Sequence, residues 1–288
     1  MIDALKPMHL GEILDHTVQI YRRQFLLFVG IAAPPSMVVL ACFAAGFLLY
    51  GAATNGASPR QVLAILGILA ITLVGLLLYV VACAFGYAAL SLAARKRFFG
   101  EAITIRGMYR EAWPHGWRYL GLYALEFLIL GVAPFTVMFL AILVDGIFSR
   151  TIGGSGAATA GAIGFMIVVL LLGGYILWML PRLSMAFAAS VAEDAGVWQS
   201  IQRSWTLSKG TCWRILLLFL LGAVCGWMLT WLVTIPALIV VSMIPGMSSP
   251  QHQGLMGEII LFAMYGAGFV VQALVRPVYG IALVLFYY

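Results

Sequence analysis

The feature that most constrains this chain is its set of long intervals without charge. No Asp, Glu, Lys or Arg occurs between Arg23 and Arg60, between Arg60 and Arg95, between Arg150 and Arg182, or between Arg214 and Glu258. A helix needs about 20 apolar residues to cross roughly 30 Å of hydrocarbon, and each interval is longer than that. Of the 288 residues only 9% are charged, against about 25% in soluble domains, so charge is too scarce to cover a water-facing surface. Membrane β-strands would alternate over segments of about 10 residues, whereas runs such as residues 62–90 are continuously apolar. A barrel is excluded, and an all-α polytopic membrane protein is expected. A cleavable signal peptide is not expected, because a mixed segment precedes a first apolar run longer than the roughly 7–15 residues of a signal core.

Residues 1–9 read as a short lead. Residues 10–24 then form an amphipathic segment with Leu10, Ile13, Leu14, Val18 and Tyr21 on one face. A second follows at Ile105, Met108, Tyr109, Ala112 and Trp113, ended by Pro114. A third carries Val197, Trp198, Ile201 and Trp205 on one face and Gln199, Gln202 and Arg203 opposite, with Glu193-Asp194 as its expected caps. Tyr21, Trp113 and Trp205 stand at equal spacings of 92 residues, and each closes its segment ahead of a long apolar run. Six spans are expected, at about 25–50, 61–94, 117–143, 161–189, 213–244 and 258–288. Pro34-Pro35, Pro134 and Pro236 should kink the first, third and fifth. The polar loops at 51–60, 145–160 and 245–257 separate the spans of each pair. The expected architecture is a bundle of six transmembrane helices in a single membrane domain, built as three repeats of an interfacial amphipathic helix plus a helical hairpin, at about 10–97, 98–193 and 194–288.

The net charge of +6 lines one membrane face rather than a nucleic-acid surface. Lys6, Arg22, Arg23, Arg95, Lys96, Arg97, Arg106, Arg110, Arg118, Arg203, Lys209 and Arg214 fall on the N-terminal segment and the amphipathic connectors, and the opposite loops hold only Arg60 and Arg150. The positive-inside rule therefore puts both termini and all three amphipathic helices in the cytoplasm. Tyr21, Arg22, Arg23, Trp113, Trp117, Arg118, Trp205, Trp213 and Arg214 would form an interfacial collar at that face.

Three charges lie inside spans. Glu126 is about 13 Å along a helix from Trp117, Arg182 about 16 Å from Glu193, and Arg276 about 18 Å from Tyr288. Isolated charges at such depth cost from about 2.5 kcal/mol upward, so they should pair or serve a site. One reading joins them as a buried ion cluster. The other makes Arg182 and Arg276, each beside a proline, the lining of a cytoplasm-facing cavity that accepts an anionic head group. Met166, Trp178 and Met179 read as packing or lipid-facing residues, and the four cysteines as small apolar fillers. Gly222 and Gly226 are spaced for a close helix contact. The glycines at 153–156 lack the Lys-Ser/Thr of a phosphate loop. His9, His16, His115 and His252 are scattered, so no metal site is expected, and no catalytic motif or cofactor site is found.

The stretches LGEILDHTVQIYRRQFLLFVGIAAPP, SIQRSWTLSKGTCWRILLL and RPVYGIALVLFYY resemble a bacterial membrane family named after the membrane domain of glycerophosphoryl diester phosphodiesterase. The resemblance covers nearly the whole chain. It implies a multi-pass protein of the bacterial cytoplasmic (inner) membrane. Some members of that family are fused to a phosphodiesterase domain and many stand alone; this chain has no room for the catalytic barrel, so no enzyme is expected. Similar proteins continue past the final tyrosines with a basic tail, which raises the expectation that this chain is C-terminally shortened. Two functional classes remain open. One is a module that engages anionic membrane lipids or recruits a protein partner or further copies of itself. The other is a transporter or lipid translocator using the Glu126, Arg182 and Arg276 region.

Overall fold

The computed structural model describes residues 10–54, 58–152, 155–243 and 253–287. The N-terminal lead, parts of all three polar loops and Tyr288 lie outside the described residues. Eleven α-helices follow in order: α1 (Leu10–Arg23), α2 (Phe25–Thr54), α3 (Ser58–Phe98), α4 (Ile105–Ala112), α5 (Gly116–Phe127), α6 (Ala133–Ile152), α7 (Ser155–Leu183), α8 (Ala186–Glu193), α9 (Val197–Leu207), α10 (Cys212–Ser242) and α11 (Gln253–Tyr287). Six segments are long and apolar enough to cross a membrane: Phe25–Leu49, Gln61–Phe98, Ile105–Ile147, Thr159–Glu193, Cys212–Val240 and Met264–Tyr287. The protein is an all-α polytopic membrane protein.

The prolines act differently from one another. α2, α7, α10 and α11 continue through Pro34-Pro35, Pro181, Pro236 and Pro277. Ahead of Pro134 the chain instead widens into a π turn, Leu128–Val132, closed by the Ala133 N–H on the Leu128 carbonyl. A proline ring clashes with the carbonyl four residues back, and an added residue in the turn relieves that clash. Pro114 follows the end of the second amphipathic helix, which stops at Ala112. It sits in a single 3₁₀ turn, Trp113–His115, that leads into α5.

The chain divides into two compact units. The first comprises residues 1–116 and 217–288. In it α3 packs back along α2, and α11 packs on both and on α1. Its core is made of Phe28, Ile31, Ala84, Ala88, Ala89, Leu90, Ile281 and Ala282. Small residues set the close approaches: Leu90 lies over Gly280, and Tyr279 lies where a side chain on Gly222 would project. Lipid chains are as apolar as leucine, so such contacts and interhelical hydrogen bonds hold the helices together. Tyr279 donates to the Phe219 carbonyl at 3.3 Å, so the Gly222 position does serve a close contact, between α10 and α11.

The second unit is residues 117–216. In it α6 packs against α7 as a hairpin, α9 packs on α7 and α8, and Tyr119, Leu122, Leu183, Met185, Phe187 and Val191 are buried. The backbone breaks at Ser184-Met185 between α7 and α8. Asp194 then ends α8 in the left-handed conformation, with φ 53°. The cap of α9 is Gly196, whose N–H is held by the Gln199 side chain at 3.3 Å. Glu193 and Asp194 are therefore not caps of α9. They form ion pairs, Glu193 with Arg203 at 2.7 Å and Asp194 with Arg118.

The face of α9 follows the expected stripe except at Trp198. Its buried residues are Ser200, Ile201 and Ser204, while Trp198 is 65% exposed. Serine can face inward because each hydroxyl finds a carbonyl: Ser200 on Gly196 at 2.8 Å and Ser204 on Arg182 at 2.6 Å. Tryptophan can face outward because it suits the membrane interface.

Candidate functional site

Arg182 occupies the last turn of α7. Its guanidinium lies 4.0 Å from the ring centre of Trp178, one turn earlier, and 4.4 Å from that of Trp205 on α9. The two rings meet edge to face at 5.7 Å. The Ser204 hydroxyl, next to Trp205, anchors α9 to the Arg182 carbonyl, and this brings the second indole into place. Among the described residues no N–H of Arg182 is hydrogen-bonded and no carboxylate pairs with it. The rings favour the cation through their faces, which leaves the planar N–H fork to a further acceptor.

Arg276 lies in the first unit, on α11. It donates through Nη2 to Tyr79 Oη at 3.1 Å and to Gln272 Oε1 at 3.3 Å, and through Nη1 to Cys83 Sγ at 3.8 Å. None of these partners is a carboxylate. Beside Tyr79 an apolar cavity of about 660 Å³ opens between α2 and α3. Its walls are one helical face of each: Val39, Cys42 and Phe43 of α2 oppose Ile68, Ile71 and Leu76 of α3, among others.

Glu126 lies on α5, just ahead of the π turn. Its Oε1 is buried and has no hydrogen-bond partner among the described residues. No ion pair joins it to Arg182, which shares its unit. Arg276 belongs to the other unit and is held by groups of its own. The expected ion cluster is thus not assembled from Glu126 and Arg182, and each arginine has an aromatic setting instead.

The nine collar residues fall into two groups. Trp113, Trp117 and Trp213 are exposed, Trp117 to 87%, and Arg22, Arg23 and Arg214 point outward as well. Tyr21, Arg118 and Trp205 turn inward. Tyr21 donates to the Leu274 carbonyl of α11 at 2.8 Å. Its phenol is pushed up to about 12, because burial disfavours the phenolate. Arg118 reaches Asp194 and, at 3.3 Å, the Ser190 carbonyl, tying α5 to the α8–α9 corner.

Trp178, Gln272 and Tyr79 are the site residues that the sequence reading missed. Trp178 and Gln272 each precede an arginine by four residues, the spacing that stacks side chains on one helix face, so both were within reach. Tyr79 comes from a distant helix and carries no such signal. Among the described residues no group of three His, Cys, Asp or Glu is placed to hold a metal, and all four cysteines are free. Compared with protein-family models, curated proteins and solved structures, the chain gives no significant match to any.

Proposed function

We propose that this integral membrane protein is a non-catalytic module of the bacterial inner membrane that binds anionic lipid head groups, with Arg182 as a principal contact. The observation that carries the reading is an arginine clamped between Trp178 and Trp205 with its whole N–H fork unused. A phosphate oxygen pair matches that fork bidentately. The exposed tryptophans and arginines of the collar set the depth of the bundle at the head-group layer. In this reading both termini and the collar face the cytoplasm, the chain repeats three times, and it belongs to the membrane family that its motifs resemble.

Native mass spectrometry of the purified protein tests the site. Charge-assisted hydrogen bonds contribute roughly 1.5–3 kcal/mol, so Arg182→Leu should lower occupancy by co-purified anionic phospholipid about ten- to a hundredfold. Arg182→Lys, which keeps the charge and loses the fork, should fall between the two. An unchanged lipid profile in a folded Arg182→Leu protein would overturn the reading.

A second reading, a transporter or lipid translocator, is favoured by one observation: the buried Glu126 oxygen stands beside a π turn that interrupts a span. Broken helices with buried charges mark the sites of many transporters. Glu126→Gln would then abolish substrate flux in liposomes while leaving lipid occupancy at Arg182 unchanged.

A further inference from the structure

Between α2 and α3 the first unit keeps a space that its own side chains do not fill. The two helices are pinned where Cys42 Sγ sits over Gly75, in the place a β-carbon would need. Next to that contact Gly46 has open space around it, with nothing within 4 Å of where its β-carbon would stand. The cavity of about 660 Å³ falls within the roughly 300–1,000 Å³ of ligand sites. Its walls offer almost no polar partner. The Thr72 hydroxyl is already satisfied by the Ile68 carbonyl at 2.8 Å, so the occupant has to be apolar along its length. Thr72 and Leu76 are exposed, which leaves the groove open along its side.

The one chemically different place is the end at Tyr79. There the phenol oxygen receives a hydrogen bond from Arg276, which also donates to an amide and a thiol. A guanidinium inside a span with no carboxylate paired to it among the described residues lacks the anion that would offset its charge. Groove and cation are joined by a single side chain. An occupant that satisfies both carries an apolar tail and an anionic head.

Two further points narrow the class. The α3 wall runs from Ile68 to Tyr79, about 16 Å of helix, along one face only. A groove of that length, lined by a single face of each helix, suits one alkyl chain rather than a pair. Arg276 lies about 16 Å along α11 from Tyr287, within the apolar span Met264–Tyr287 and so inside hydrocarbon roughly 30 Å thick. A small head sinks to that depth; a large hydrated one does not.

We infer that the groove between α2 and α3 binds a single-chain anionic amphiphile drawn from the bilayer, a long-chain carboxylate, with its head on Arg276 and Tyr79 and its chain against Val39–Phe47 and Ile68–Leu76. The site is independent of Arg182.

Photo-crosslinking tests it, using the full chain in nanodiscs with a diazirine-bearing palmitate and, in parallel, the corresponding neutral alcohol. Adducts mapped by peptide mass spectrometry should concentrate on residues 39–47 and 68–79 with the acid and be displaced by unlabelled palmitate. Arg276→Gln should reduce acid labelling of the groove about tenfold, the loss of a charge-assisted pair, with little change for the alcohol. Gly46→Leu starts a side chain where nothing lies within 4 Å of its β-carbon; with folding checked by its size-exclusion profile, it should remove groove labelling by both probes. Equal labelling by acid and alcohol, adducts spread over every lipid-facing surface, or groove labelling untouched by Gly46→Leu would each overturn the inference.

Discussion

A proline inside a span leaves the carbonyl one turn earlier without its donor, and lipid supplies none. At two of the prolines, tyrosines from other helices fill that vacancy. Pro35 frees the Ile31 carbonyl, and Tyr109 of α4 donates to it at 2.7 Å. Pro134, in the wider register of its π turn, frees the Ile129 carbonyl, and Tyr175 of α7 donates to it at 3.2 Å. Tyr109→Phe should therefore destabilise the fold by roughly 0.6–1.7 kcal/mol, the range of interhelical hydrogen bonds in membranes, as read from reversible unfolding in mixed micelles. Tyr21, whose hydroxyl bonds the Leu274 carbonyl, adds a pH dependence. Its phenol is pushed up to about 12 by burial, above the unfolded value near 10. The neutral form is the one the fold prefers, so its contribution is complete below pH 10 and is lost as pH rises from 10 through 12. An alkaline titration of stability should show this fall in the wild type and a shallower one in Tyr21→Phe. The prolines could be read from the sequence, and so could the aromatic character of their partners. Their pairing could not, because it joins residues as far apart as Tyr109 and Ile31 across two helices.

At the scale of the element, the spans and all three amphipathic helices lie close to where hydropathy and period place them. The residues each face buries are less legible. For α9 the stripe holds at Val197, Ile201 and Trp205 and fails only at Trp198, because hydrophobicity marks a lipid-facing surface as strongly as a core. Satisfied serines packed where bulk was expected. The corner beyond α8 was misread for a related reason: Glu193 and Asp194 have the chemistry of caps, yet Arg203 and Arg118 claim both side chains. The π turn was likewise invisible; a proline announces a disturbance without saying which kind. Its coupling to Tyr175 is measurable. Pro134→Ala restores an N–H and lets α5 and α6 close into one regular helix, which removes the acceptor that Tyr175 uses. A double-mutant cycle of Pro134→Ala with Tyr175→Phe should therefore give a coupling of about 0.6 kcal/mol, rising toward roughly 1.7 kcal/mol if the bond is well shielded. Additive effects would mean that the hydroxyl serves no vacancy made by the proline.

At the scale of the molecule, the most apolar stretch within Thr159–Glu193 is 0% buried inside the protein. A surface of that kind has to face lipid or a partner, which is why composition alone was enough to assign the protein to the membrane. Charge gives an expected orientation. Lys209 is exposed in the turn between α9 and α10, and Glu101 in the turn between α3 and α4, both on the basic side. Ser155 begins α7 at the other end of a span. If the positive-inside rule holds, Lys209→Cys and Glu101→Cys, each in a cysteine-free background, should react with a membrane-impermeant maleimide only in inverted vesicles. Ser155→Cys should react only in intact spheroplasts. The opposite pattern would place the collar, and with it Arg182, on the outer face, where any anionic head group would have to come from the outer leaflet. A mixed pattern would mean that one of the six segments does not cross.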